Sequence, residues 1–138
     1  MSVEVSTDAS RLDVERIHRW LSEDAYWSLG RTLEVVARSI EHSLNFGAYD
    51  DRGELVGYAR VVTDHATFAW LCDVYVDPSS RGAGVGTALL DAVSARLAGL
   101  RLSRTLLATA DAHALYTRYG FAPLAQPERF MVRGTPEH

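Results

Sequence analysis

Cysteine is almost absent from the chain. Cys72 stands alone among 138 residues, which excludes an internal disulfide framework and any metal site built from several thiolates. A lone thiol suits a reducing compartment, so a cytoplasmic location is expected. Long apolar runs are missing as well. Nothing approaches the roughly 20 consecutive apolar residues of a membrane-spanning helix, and no membrane partner is expected. The opening Met1-Ser2-Val3-Glu4-Val5 has neither a basic start nor an apolar stretch, so no secretory leader is expected. Positive charge is in deficit: 14 Lys plus Arg face 18 Asp plus Glu, a formal net charge of -4. That balance argues against a protein that coats a phosphate backbone, so no nucleic-acid partner is expected; a small cationic ligand is compatible with it. The five histidines are scattered, with no His/Asp/Glu pair at ligand spacing, and no metal is expected.

What is present is an ordinary globular composition, 47% hydrophobic and 23% charged. Residues 1–138 are read as a single domain. Val3 and Val5 alternate as in a short strand. Val14, Ile17 and Leu21 recur at helical spacing, with Ser10 and Asp13 as the expected cap pair. The polar, aromatic segment Ser22 to Gly30 has no period and reads as a loop. A second helix follows Thr32, with Leu33, Val36 and Ile40 on one face. Phe46 to Tyr49, Leu55 to Val62 and Phe68 to Val76 read as three strands in meander, and Asp77-Pro78 ends the last of them. Leu89, Leu90, Val93 and Leu97 mark a long helix closed by Gly99. Arg104 to Ala108 reads as a strand and Asp111 to Arg118 as a short helix. Gly120-Phe121 and Phe130-Met131-Val132 read as final strand material, and residues 134–138 as a frayed tail. The order implies an α+β fold of three layers. Its central sheet is expected to be mixed, mainly antiparallel, with about six to seven strands flanked by about four helices.

The most informative segment is Asp77-Pro78-Ser79-Ser80-Arg81-Gly82-Ala83-Gly84-Val85-Gly86-Thr87. A strand ends, three glycines follow at spacing two, and a helix begins. Glycine lets backbone amides point into the turn, and a helix N-terminus adds unpaired N–H groups and partial positive charge. Together they form a candidate phosphate cradle, with Arg81 at its mouth. A Walker loop is excluded because Gly86 is followed by Thr87 with no lysine, and the dinucleotide fingerprint because the third glycine comes one position early.

Arg81-Gly82-Ala83-Gly84-Val85-Gly86, preceded by an apolar strand and Asp77-Pro78, resembles the acetyl-CoA signature of the GNAT superfamily of N-acetyltransferases. Farther along, Leu115-Tyr116 with Tyr119-Gly120-Phe121 is similar to the family's second motif, and the element order agrees over nearly the whole chain. The resemblance implies acetyl-CoA as cosubstrate. It implies that the amides from Gly82 to Thr87, those of Ala83 and Val85 included, grip the pyrophosphate. It further implies that pantetheine lies along the strand at Val74, Tyr75 and Val76, with the N–H at Val74 facing the thioester oxygen. Tyr116 would protonate the leaving thiolate. Thr109 and His113 would contact the cosubstrate. The fold it implies often pairs as a homodimer through its C-terminal strands or sheet edge.

The general base is the weak point of the pattern. Asp73, His65 and the acids of the Ser22–Ser28 loop are the candidates, with Asp73 named as the catalytic one; a structural carboxylate is the alternative for Asp73. Simple alternation puts Trp70, Cys72, Val74 and Val76 on one face of the strand and Leu71, Asp73 and Tyr75 on the other. The family's usual bulge here would reset that alternation. Tyr26 and Trp27 are the candidate substrate-binding residues, since aromatics in a polar loop suit a cationic or aromatic amine; packing under the loop is the alternative for Trp27. The activity expected is transfer of an acetyl group by direct attack of a small-molecule primary amine. A protein lysine or N-terminus as acceptor, or a non-catalytic acyl-CoA-binding module, are the alternatives. The glutamate that N-terminal acetyltransferases of the family carry near Arg104-Thr105-Leu106 is missing.

Overall fold

The computed structural model describes residues 2–134; the expected tail at 135–138 lies outside them. Two compact units are present, one running to Leu107 and one from Ala108 onward. The first contains a five-stranded sheet of β1 (Glu4–Ser6), β2 (Leu44–Tyr49), β3 (Leu55–Thr63), β4 (Phe68–Val76) and β5 (Arg104–Leu106), in that spatial order. The pairings β1–β2, β2–β3 and β3–β4 are antiparallel and β4–β5 is parallel, so the sheet is mixed. Five strands replace the six to seven expected. Neither Gly120-Phe121 nor Phe130-Met131-Val132 forms a strand, and Met131 is 98% exposed. An apolar triplet with no sheet neighbour has nothing to pair its backbone.

Helices α1 (Val14–Glu23) and α2 (Leu33–Glu41) are each started by a side chain that accepts a backbone N–H. Asp13 accepts from Arg16 and Thr32 from Val35, at 3.1 Å and 3.2 Å. Asp13 is thus the cap itself, and Ser10 instead belongs to a short 3-10 turn, Ala9–Arg11. Ile17, Trp20, Leu21, Val36 and Ile40 from these helices join Tyr58 and Tyr75 in one buried cluster. Helix α3 (Val85–Leu100) covers the opposite face. It continues through Gly99 and stops at Arg101, which adopts a left-handed φ of 55°. Gly57 explains how closely α3 approaches. A Cβ there would stand 2.8 Å from Val85 Cγ1 and 3.0 Å from Leu89 Cδ1. Neighbouring residues of a strand face opposite ways, so Gly57 meets α3 while Tyr58 enters the α1–α2 cluster.

One irregularity sets the geometry of β4. Tyr58 pairs with Tyr75, but two residues on Arg60 pairs with Cys72, three residues back. The extra residue is a β-bulge at Asp73–Val74, and Asp73 has a left-handed φ of 52°. The bulge resets the alternation. Trp70 and Cys72 pair with Val62 and Arg60, and Tyr75 with Tyr58, so all three share the α1–α2 side with Asp73. Val76 turns to the other side, where its Cγ2 is the nearest atom to a Cβ built on Gly86 of α3.

The second unit holds α4 (His113–Thr117), and its end explains the second sequence motif. Gly120 N donates to Thr117 O and Phe121 N to Tyr116 O, at 3.1 Å and 3.2 Å, with Gly120 at φ 88°. These are the two crossed bonds of a Schellman stop. Its usual hydrophobic clasp is also there: the Tyr116 and Phe121 rings meet edge to face at 5.9 Å.

Gly57→Val is expected to lower unfolding free energy by about 1–3 kcal/mol, the usual cost of overpacking. Urea unfolding checks this, and an unchanged midpoint would mean that α3 does not bear on Gly57.

Candidate functional site

After Val76, the Asp77 side chain accepts from Ser79 N at 2.9 Å and shapes the turn Pro78–Ser80. The chain then swings through residues 81–84 into α3. Gly82 and Gly84 have φ of 85° and 84°, which an L side chain rarely adopts. A Cβ on either would find no atom within 4 Å. The backbone conformation therefore demands glycine, and the side of the turn that a side chain would fill is open. Gly84 is the N-cap of α3 and offers no side chain to its first turn, so those N–H groups face outward from a 16-residue helix. Gly86 lies inside the helix and meets only Val76, at 3.8 Å.

Strand β4 brings a second binding feature. It pairs with β5 only from Phe68 to Trp70, and among the described residues no strand continues that pairing toward Val76. Asp77 N donates to Val56 O at 2.9 Å, on the β3 side. Alternation along the strand then turns the N–H of Val76, and of Val74 beside the bulge, toward the unpaired edge. An open row of amides beside an anion cradle fits a long ligand that carries both amides and phosphates.

On the α1–α2 side, Asp73 is held by three donors. Trp27 Nε1 donates to Oδ1 at 2.9 Å; Arg31 Nη1 and Arg60 Nε donate to Oδ2, each at 2.8 Å. Only 1% of the Asp73 side chain is exposed. Burial pushes its carboxyl up, but the Arg60 and Arg31 charges and the hydrogen bonds from Arg60 and Trp27 outweigh burial and hold it below the usual carboxylate range. Both oxygens are engaged, so Asp73 fastens the α1–α2 segment to β4. Trp27 likewise spends its indole N–H on Asp73 and packs against the buried cluster; Tyr26 is 44% exposed and meets Trp27 edge to face. Cys72 lies beside this group, and burial raises its thiol to about 11. A thiol so raised is a poor nucleophile.

Arg81 does not reach into the turn. Its Nε donates to Val76 O at 3.1 Å, Nη2 lies 3.4 Å from Asp24 Oδ2, and the guanidinium sits over the Tyr75 ring. Asp24 also accepts from Tyr75 Oη. Asp24 is thus tied up as well, and His65 sits in the β3–β4 turn, at the end of β4 away from the glycines. In the second unit Thr109 Oγ1 accepts from Ala112 N at 3.2 Å, and His113 opens α4, with its carbonyl bonded to Thr117 Oγ1 at 2.8 Å. Arg31 and Arg60 were not singled out from the sequence. A visible signal exists for Arg60, a lone charge inside the apolar run of β3, because a charge in a core strand needs a partner.

The chain matches the acetyltransferase (GNAT) family over residues 14–121. A GNAT-family protein of Xanthomonas campestris pv. campestris is 50% identical, with a TM-score of 0.94 over 99% of this chain and 96% of that one. The chain belongs to the GNAT acetyltransferase family. Two plant relatives match less fully. The histone acetyltransferase TAP1 of Glycine max is 35% identical over 80 residues, 57% of this chain and 34% of that protein. Serotonin N-acetyltransferase 2, chloroplastic, of Oryza sativa subsp. japonica is 34% identical over 97 residues, 67% of this chain and 48% of that protein. Their names divide over the acceptor. As a GNAT enzyme the chain is an acyltransferase with acetyl-CoA as cosubstrate, and the open glycine turn and β4 edge fit that molecule. Among the described residues no helix is long and apolar enough to cross a membrane, and no group of His, Cys, Asp or Glu could hold a metal.

Asp73→Asn is expected to cost about 3 kcal/mol at pH 7, because it leaves two half-buried guanidinium groups without a counter-charge. The folded carboxyl titrates below its unfolded value, so its stabilisation is complete above about pH 4 and is lost as pH falls through the lower folded value. Denaturant unfolding from pH 7 to pH 2 should show a flatter acid limb in the variant; identical limbs would remove Asp73 from the acid response.

Proposed function

We propose that this GNAT acetyltransferase transfers acetyl from acetyl-CoA by direct attack of a small-molecule primary amine, and that residues 1–138 act as one catalytic domain. The observation that carries the small-molecule reading is the pinned α1–α2 segment. Asp24 is bound to Tyr75, and Trp27 and Arg31 to Asp73, so the segment is fastened onto β4 at two places. A segment fastened down in this way favours a compact acceptor over an extended peptide, which needs a long open groove.

Acetyl-CoA supplies the activated acyl group. The amides of Gly82, Ala83, Gly84, Val85, Gly86 and Thr87 receive its pyrophosphate, helped by the positive end of α3. The outward N–H groups of Val74 and Val76 pair with its pantetheine arm, and that of Val74 polarises the reacting carbonyl. Tyr75 contributes backbone there, its side chain being occupied with Asp24. Arg81, next to the turn, exchanges its contact with Asp24 for the phosphates. Thr109 and His113 are further contacts to the cosubstrate, and Tyr116 donates the proton to the departing thiolate. Tyr26 and Trp27 form the aromatic side of the acceptor cleft. Asp73 positions that side and takes no proton; the amine attacks in its neutral form, the C–S bond breaks as the C–N bond forms, and the proton shed by the nitrogen goes to water, from which Tyr116 is reprotonated.

Gly84→Val should abolish acetyl-CoA binding in calorimetry with the fold intact by circular dichroism, and retained affinity would sink the cradle. Tyr116→Phe should bind acetyl-CoA normally yet turn over about a hundredfold more slowly, the usual scale of a lost general acid. Phenylalanine keeps the Schellman clasp, so unchanged turnover would leave Tyr116 with that structural task alone. Thiol release with a panel of amines and short peptides tests the acceptor class: turnover of peptides only would overturn the small-molecule reading.

A further inference from the structure

Charge around Asp73 does not balance. Two arginines face one carboxylate: Arg31 and Arg60 both donate to Asp73, and their side chains are 22% and 15% exposed. Among the described residues, Asp73 is the one carboxylate bonded to either guanidinium. The charged neighbours of Arg60 are Asp73, Cys72 and Tyr58, and burial keeps both the thiol and the phenol neutral near pH 7. The chain has no lysine, so its fixed cations are all guanidinium groups, which stay charged at any working pH. The cluster therefore carries one surplus positive charge in a largely desolvated place, a costly arrangement unless an anion completes it.

The donors needed to hold an anion are present. Arg60 uses Nε for Asp73 and Nη1 for Ser43 Oγ, the latter at 3.1 Å. Arg31 uses Nη1 alone. Among the described residues nothing accepts from Nη2 of Arg60 or from Nε and Nη2 of Arg31, and neither nitrogen set is sealed from solvent. A guanidinium offers five N–H donors in a planar fork suited to a carboxylate. The place matters too. Arg60 pairs in register with Cys72, and Asp73 immediately precedes Val74, whose N–H is read above as facing the thioester.

We propose that the acceptor amine carries a carboxylate, which Arg31 and Arg60 receive while the amine reaches the acyl carbon. The proposal rests on the small-amine reading above and narrows it to amino-acid-like acceptors. The aromatic pair Tyr26 and Trp27 beside the arginines makes an aromatic amino acid a suitable member of that class.

The test uses matched pairs with the full chain and acetyl-CoA: tryptophan against tryptamine, phenylalanine against phenethylamine, β-alanine against ethylamine. Thiol release is the readout, and calorimetry follows acetyl-CoA binding. The carboxylate-bearing member of at least one pair should have a kcat/KM higher by about tenfold or more, because its absence leaves the guanidinium groups unpaired. Arg31→Gln should bring that ratio close to one, and Arg31→Lys should restore part of it. If Arg31→Gln does not fold, the wild-type ratios decide alone. Equal or faster turnover of the decarboxylated members would overturn the carboxylate and leave transfer to a small amine standing. No turnover of either member of any pair, with acetyl-CoA bound, would overturn both.

Discussion

The carboxylate of Asp73 and the bulge it occupies organise the α1–α2 side of the sheet. A non-glycine residue at φ 52° costs roughly 1–2 kcal/mol of backbone strain, although Asp is among the residues that tolerate it best. Three short hydrogen bonds from Trp27, Arg31 and Arg60 offset that cost. The bulge in turn shifts β4 by one residue against β3. Without that shift Val74 and Val76 would share a face with Trp70 and Cys72. With it they turn to the α3 side, leaving Asp73 and Tyr75 to fasten the α1–α2 segment.

Strand β4 therefore acts as a spine with a different task along each side. Its β3 edge is paired on both sides of the bulge; its other edge is paired only as far as Trp70 and open beyond. Its α1–α2 face carries the charged anchor, and its last residue leads into the glycine turn. The remaining ion pairs matter less. Arg38–Glu34 and Arg11–Glu4 lie on the surface, where solvent screens them. Arg81–Asp24 is also half exposed, so it is weak enough to exchange for a phosphate. The Arg31–Asp73–Arg60 group is the exception: its carboxylate is buried and its arginines are largely covered, so water screens it far less.

Local signals were legible where one residue type has one physical use. Glycine at 82 and 84 answers to positive φ, and glycine at 120 to the Schellman stop, so both motifs could be read before any coordinates. The strands at Leu55 and Phe68 and the helix after Thr32 were legible for the same reason: β-branched runs and apolar residues at helical spacing have few other meanings. The extra strands read at Gly120 and Phe130 failed because apolar alternation over three residues also describes an exposed turn. For Asp73 the letters leave a base and a structural carboxylate both open, because its contacts with Arg31 and Arg60, 42 and 13 residues away, lie beyond local sequence.

By itself the sequence determined the family, the cosubstrate that goes with it and the form of the glycine turn, because the motifs rest on backbone conformations that neighbouring residues dictate. The tertiary structure decided which way β4 faces, what Asp73 is for, and that two guanidinium groups meet one carboxylate. Those are long-range facts. A one-residue register shift exchanges the faces of a strand without changing a single letter, and charge balance exists only among groups that folding has brought together.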